Sequence, residues 1–441
     1  MLLNGLYLLV LVMLSPWLFW RRLRTGRYRT SLGEKLLGRV HVSNPEGKPV
    51  AWFHGVSVGE IHLLAIVVAA FRKRHPDWFI VVSSTTDTGL AEARSRFADL
   101  AVIPWPFDFT WAVRRAMKTV KPNLLILAEG ELWPNAVRIA KESGARVAVI
   151  NARMSPRSLA RSQRVAGLLR RLLYRHIDRF AVQTEEYAER FQRLGVDASQ
   201  IVVTGSVKYD GAVGDRTSPR AETLRRLFFG ETVTSDRLIW VAGSTHAPEE
   251  QICLDAFVKV KETFPNCHLL LVPRHPDRFD EVARLIESAR IPFVRRSQLT
   301  VTPADLPPLI LLDTVGELGS AWALADVGYV GGTLDGKRGG QSMIEPAGYG
   351  VPTVFGPHVW NFKDAAQRLI ESGGAIMIRS AEELAPALSE LLANPDIRVK
   401  RGQSARQLVM TQQGATERTL NVLDQLIQSA TLPPPTVRKD S

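Results

Sequence analysis

Carboxylates and cations recur in this chain just beyond short apolar runs. The first such run ends in HGVSVGE, residues 54–60, with Glu60 at the start of an amphipathic stretch. An acid there caps a helix, or it takes a proton from an attacking hydroxyl. AEGELWPN, residues 128–135, puts Glu129 and Glu131 two apart, on one face of an extended chain. NARMSPRS (151–158) carries Arg153 and Arg157 around a helix start, and GSVKYD (205–210) carries Lys208 on a glycine-containing loop. Ion pairing, helix capping and anion binding are all open to these groups.

The second half repeats the arrangement with different chemistry. AGSTHAPEE (242–250) is a small-residue loop suited to phosphate or hydroxyl groups. VPRHPDRF (272–279) fixes Pro273, Arg274 and His275 at a strand end, where an arginine fork matches an oxyanion. Gly316 and Glu317 open a helix in DTVGELG, and Glu345 lies in the glycine-rich RGGQSMIEPAGYGVP. A carboxylate there suits the two hydroxyls of a ribose. His358 and Asn361 follow in FGPHVWNF. GKRGG lacks the spacing of a phosphate-binding P-loop, and the run 331–340 is not a dinucleotide fingerprint, which argues against an NTPase or a dehydrogenase. Cys253 and Cys267 have no zinc-like spacing, so no metal is expected.

These groups need elements to hold them. Short β-rich runs at 49–53, 78–83, 123–128, 145–150, 178–183 and 201–204 alternate with helical patterns, and the alternation resumes from 238. That predicts an α/β chain of two doubly wound parallel-sheet domains. The boundaries read as 21–215, a linker over 216–236, 237–430 with a final helix over 398–428, and a proline-rich tail over 431–441, expected to be disordered. Residues 1–20 carry no charge and are followed by Arg21, Arg22, Arg24, Arg27 and Arg29. Twenty apolar residues reach about 30 Å, a membrane's hydrocarbon thickness. The expectation is a single transmembrane anchor with the arginines and everything after them on the cytoplasmic side. The net charge of +12 suits anionic partners. Nucleic acid is disfavoured, because the basic residues are dispersed and no recognition motif occurs.

Together, and in this order, the motifs resemble the bacterial 3-deoxy-D-manno-octulosonic acid (Kdo) transferase family of lipid A biosynthesis. The resemblance covers nearly the whole chain. It implies a GT-B fold, in which two Rossmann-like domains face each other across a cleft. It implies CMP-Kdo as donor bound by the second domain, a lipid A precursor as acceptor bound by the first, inversion at the anomeric carbon, no cofactor or metal, and an inner-membrane phospholipid setting. By the same resemblance Glu60 is the base, and Glu131 and Lys208 stabilise the transition state. Pro273, Arg274, Val315, Gly316, Glu317, Ser342, Met343, Ile344 and Glu345 hold CMP. The chain departs from the family at Gly130, where a threonine is usual between the two acids. It departs again in GGQSMIE, where GGHNPLE is common. Another GT-B nucleotide-sugar enzyme and a non-catalytic basic membrane-surface protein are the alternative readings.

Overall fold

The computed structural model describes residues 4, 5, 7–9, 13, 32–130, 132–230, 237–303 and 305–431. Contacts divide the chain into two compact units, one running to Asp210 and including the helix after Gln413, the other Gly211–Gln412. Among the described residues each unit has a seven-stranded sheet, and every strand pairing is parallel.

The first sheet contains β1 (Val50–Gly55), β2 (Phe79–Ser84), β3 (Ala101–Pro104), β4 (Leu124–Ala128), β5 (Arg146–Ala152), β6 (Arg179–Val182) and β7 (Ile201–Val203), in the order β3-β2-β1-β4-β5-β6-β7. β1 and β4 are buried along their whole length, as strands covered on both faces must be. The helix Val58–Arg74 packs Ile61, Leu64, Val67, Val68 and Phe71 onto one face. The order reverses between β1 and β4, so the crevice at the carboxyl ends of these two strands is the natural ligand position.

The second sheet contains β8 (Leu238–Thr245), β9 (Cys267–Pro273), β10 (Phe293–Arg295), β11 (Leu309–Leu311), β12 (Val327–Val330), β13 (Thr353–Phe355) and β14 (Ala375–Met377). Its order is β10-β11-β9-β8-β12-β13-β14, with the reversal between β8 and β12.

Several sequence expectations need correction. β3 and β10 went unpredicted; both are short edge strands only partly buried, so they lack the continuous apolar run of the inner strands. The expected linker is part of the second unit, where its one helical segment, the helix Pro219–Phe229, packs on the helix Leu318–Leu324. The expected single helix over 398–428 is two, Pro395–Thr411 and Ala415–Thr431. The break includes Gly414, whose φ of 82° is left-handed. The last helix therefore leaves the second unit and seals the first, burying Leu420, Leu423 and Leu426 beside Ile61 and Leu64. Asp424 clasps it there through Arg74 at 2.9 Å and His75 at 2.7 Å.

The expected membrane span 1–20 lies mostly outside the described residues, as do Arg21 to Arg29 and the tail from 432. Among the described residues no helix is long and apolar enough to cross a membrane, so the transmembrane helix has no support here.

Candidate active site

In the first unit the functional groups stand at the carboxyl edge of the sheet, around the reversal point. Glu60 sits in the first turn of the helix after β1, as an S-x-x-E pattern from Ser57 to Glu60 dictates. The Glu60 N–H donates to Ser57 Oγ at 3.4 Å. The Val56 N–H donates to Glu60 Oε2 at 2.8 Å, and the Ser57 hydroxyl to Oε1 at 3.1 Å. Glu60 is thus both a cap and a fixed, half-buried carboxylate. Both oxygens of a carboxylate accept more than one bond, so capping does not exhaust it.

The strand beneath is braced by polar contacts. His54 is buried, with Nδ1 at 3.0 Å from Ser83 Oγ and Nε2 at 3.3 Å from Thr85 Oγ1. Its ring stacks on Trp105 at 3.9 Å. Burial lowers its pKa to about 3, which keeps it neutral.

Glu129, at the end of β4, is the centre of a buried ion cluster. Lys208 Nζ lies 2.9 Å from Oε1 and Arg153 Nε lies 2.8 Å from Oε2. Asn151 Nδ2 donates to Oε1 at 3.4 Å, while Asn151 Oδ1 accepts the Val207 N–H at 3.0 Å. Burial alone would raise the Glu129 carboxyl. Lys208 and Arg153 outweigh it and hold the group below its ordinary value. Sequence reasoning paired Glu129 with Glu131 on one extended face. Glu129 instead has a left-handed φ of 58°, which breaks that alternation. Glu131 itself lies outside the described residues.

In the second unit the loops after β8, β9, β11 and β12 carry the predicted donor-site residues. The Arg274 N–H donates to Thr245 O at 3.0 Å and ties the β9 loop to β8. Pro273 is buried at the strand end, whereas Arg274 is exposed and makes no ion pair among the described residues. Val315 is fully exposed beside Gly316, whose φ is 88°. Glu317 is held by Arg296 at 2.9 Å and by the Thr314 hydroxyl. Met343 and Ile344 are buried, so their side chains serve the core and leave only their backbone for a ligand. Ser342 is half-buried, and Glu345 opens the short helix Ile344–Gly348 with its side chain accessible. Desolvation raises the Glu345 carboxyl above its ordinary value, and Arg274, within electrostatic reach, offsets only part of that.

Sequence reasoning missed the group that organises this edge. Glu249 is fully buried and accepts five hydrogen bonds. Oε1 takes the Tyr329 hydroxyl at 2.9 Å and the N–H groups of Thr333 and Leu334 at 2.8 and 3.0 Å. Oε2 takes those of Gly332 and His246 at 2.6 and 3.1 Å. The loop after β12 thereby hugs the loop after β8. A Cβ at Gly331 would come within 2.5 Å of Ser244 O, so only glycine fits there. Glu249 follows Pro248 at a helix start, and in sequence it is indistinguishable from an ordinary first-turn acid.

Residues 27–211 match a family model described as 3-deoxy-D-manno-octulosonic-acid transferase (kdotransferase). The 3-deoxy-D-manno-octulosonic acid transferase of Haemophilus influenzae is 31% identical over 404 residues, covering 91% of this chain and 92% of that protein. The one from Bordetella pertussis is 33% identical over 436 residues, covering 96% and 99%. Among solved structures, a UDP-GlcNAc 2-epimerase from Neisseria meningitidis has a TM-score of 0.55 at 11% identity, covering 86% of this chain and all of that one. A glycosyltransferase from Rickettsia africae has a TM-score of 0.55 at 11% identity, covering 87% and 99%. These two share the GT-B-like fold only. The match to the relatives runs nearly end to end and includes the loops that carry Glu60, Lys208 and Arg274, so the chain belongs to the 3-deoxy-D-manno-octulosonic acid transferase family and is a glycosyltransferase.

Proposed function

We propose that the enzyme moves Kdo from CMP-Kdo to a phosphorylated lipid A precursor, with inversion and with Glu60 as the general base. The observation that carries this is Glu60: a carboxylate clamped by Val56 and Ser57 at the point where the first sheet reverses. Inversion needs one displacement and one base opposite the leaving group, which a single fixed carboxylate supplies. Kdo has no hydroxyl beside its anomeric carbon and carries a carboxylate there, so charge neutralisation is the main demand on the protein. CMP leaves with one phosphate. Arg274 offers a bidentate fork to it, and Lys208 and Glu131 act on the transition state. Pro273, Val315 to Glu317 and the backbone from Ser342 to Glu345 hold the nucleotide. Residues 1–20 and the following arginines keep the enzyme at the cytoplasmic face of the inner membrane, against phospholipid, where the lipid acceptor resides.

Product analysis by mass spectrometry, with CMP-Kdo and the lipid A precursor as substrates, tests this reading. The Glu60→Gln enzyme is expected to lose on the order of 10²–10⁴ in rate while remaining folded. Wild-type rates in that variant would remove Glu60 as base, and turnover of a UDP-sugar in place of CMP-Kdo would remove the donor.

A further inference from the structure

The transfer chemistry above gives Arg153 no task, yet its position is strongly determined. Its guanidinium meets the Glu129 carboxylate with Nε 2.8 Å from Oε2, and its side chain is 42% exposed. Glu129 is the only carboxylate that pairs with it among the described residues. An arginine held by a buried carboxylate and still 42% exposed has a planar fork positioned to take two oxygens of one anion.

The backbone underneath adds a second sign of function. Glu129 and Asn151 end the adjacent strands β4 and β5, and both are non-glycine residues in left-handed conformation, with φ of 58° and 52°. Such strain persists only where the surroundings over-determine it, and it collects at functional sites. Here it turns the Glu129 carboxylate into contact with Asn151, Lys208 and Arg153 at once. Two cations share this one carboxylate, and Arg153 keeps an exposed side chain for an incoming anion.

We propose that Arg153 binds a carboxylate or phosphate group of a substrate, and that Glu129 is the positioning residue that aims both Arg153 and Lys208. The identity of the substrates rests on the transfer reading above. The anion belongs either to the donor or to the acceptor, and the kinetics separate the two.

The full-length enzyme is assayed with CMP-Kdo and with acceptors that carry or lack phosphate. In Arg153→Ala the KM of one substrate is expected to rise at least about tenfold with kcat changed less than about threefold, the pattern of lost binding rather than lost chemistry. A higher donor KM assigns the anion to CMP-Kdo. A higher acceptor KM that no longer depends on acceptor phosphate assigns it to the lipid. Glu129→Gln removes the carboxylate that Arg153 and Lys208 share. The same KM should rise and kcat should fall, with Glu129→Asp restoring part of each. Thermal stabilisation by each ligand is measured in parallel, because it requires no turnover. A wild type that binds these ligands without transferring Kdo defeats the transfer reading. An Arg153→Ala enzyme with both KM values and both ligand stabilisations unchanged overturns this proposal.

Discussion

The loops after β8 and β12 in the second unit hang on Glu249, and Glu249→Gln tests how much. The substitution keeps the shape and replaces one oxygen by an NH₂ group. Turned one way, that NH₂ faces the N–H groups of Gly332 and His246; turned the other, it faces those of Thr333 and Leu334. The Tyr329 hydroxyl can rotate to accept, but the backbone donors cannot. Two buried N–H groups are orphaned in either orientation, each at roughly 1–3 kcal/mol, so the loop loses about 2–6 kcal/mol. At about 1.4 kcal/mol per factor of ten, the Gly332, Thr333 and Leu334 amides should exchange with solvent roughly 30- to 10⁴-fold faster. Hydrogen exchange resolved to these amides is the assay, and β1 amides in the first unit are the internal control. Acceleration below about threefold at all three amides, with β1 equally unaffected, would refute the claim that Glu249 organises the loop.

Two further outcomes follow from the first unit. His54 stays neutral in the folded enzyme because burial lowers its pKa to about 3, while the unfolded chain protonates near the ordinary 6.5; stability is therefore present above that value and lost as pH falls toward 3. Over pH 6 to 4, His54→Gln should flatten the dependence of unfolding free energy by up to about 1.4 kcal/mol per pH unit, and unchanged slopes in denaturant titrations would exclude His54 as a source. A chain ending at Gln412 uncovers the face sealed by Leu420, Leu423 and Leu426. At about 1.5–3 kcal/mol per leucine the loss is roughly 5–9 kcal/mol, comparable with a whole domain's stability. Calorimetry should then show the first unit's transition lost and the second's kept; two transitions within about 2 °C of wild type would contradict the packing.

What could be read from the sequence, and what could not, follows the range of the interactions. The inner strands are legible because β1, β4 and β5 are apolar on both faces and their flanking helices carry their own stop signals. Glu60 is legible because Val56 and Ser57, which hold its carboxylate, lie within four residues of it, inside one S-x-x-E turn. Arg274 is legible as a cation because it directly follows the apolar run of β9. Glu129 is not, since its role is set by a left-handed backbone angle and by Lys208, which arrives from the far end of the sheet after β7. Glu249 is hidden in the same way, because its partner Thr333 is 84 residues away. The final helix was assigned to the wrong unit because the break at Gln412–Gly414 spans three residues in a continuous polar–apolar pattern, and only the waiting apolar face of the first sheet decides where the helix goes. The chemistry at this site is therefore divided by range. Glu60, the base of the transfer reading, is fixed by its own turn. The carboxylates fixed by distant loops, Glu129 and Glu249, hold cations and loops in place, and this makes them the positions where a shape-preserving substitution should move function without touching substrate.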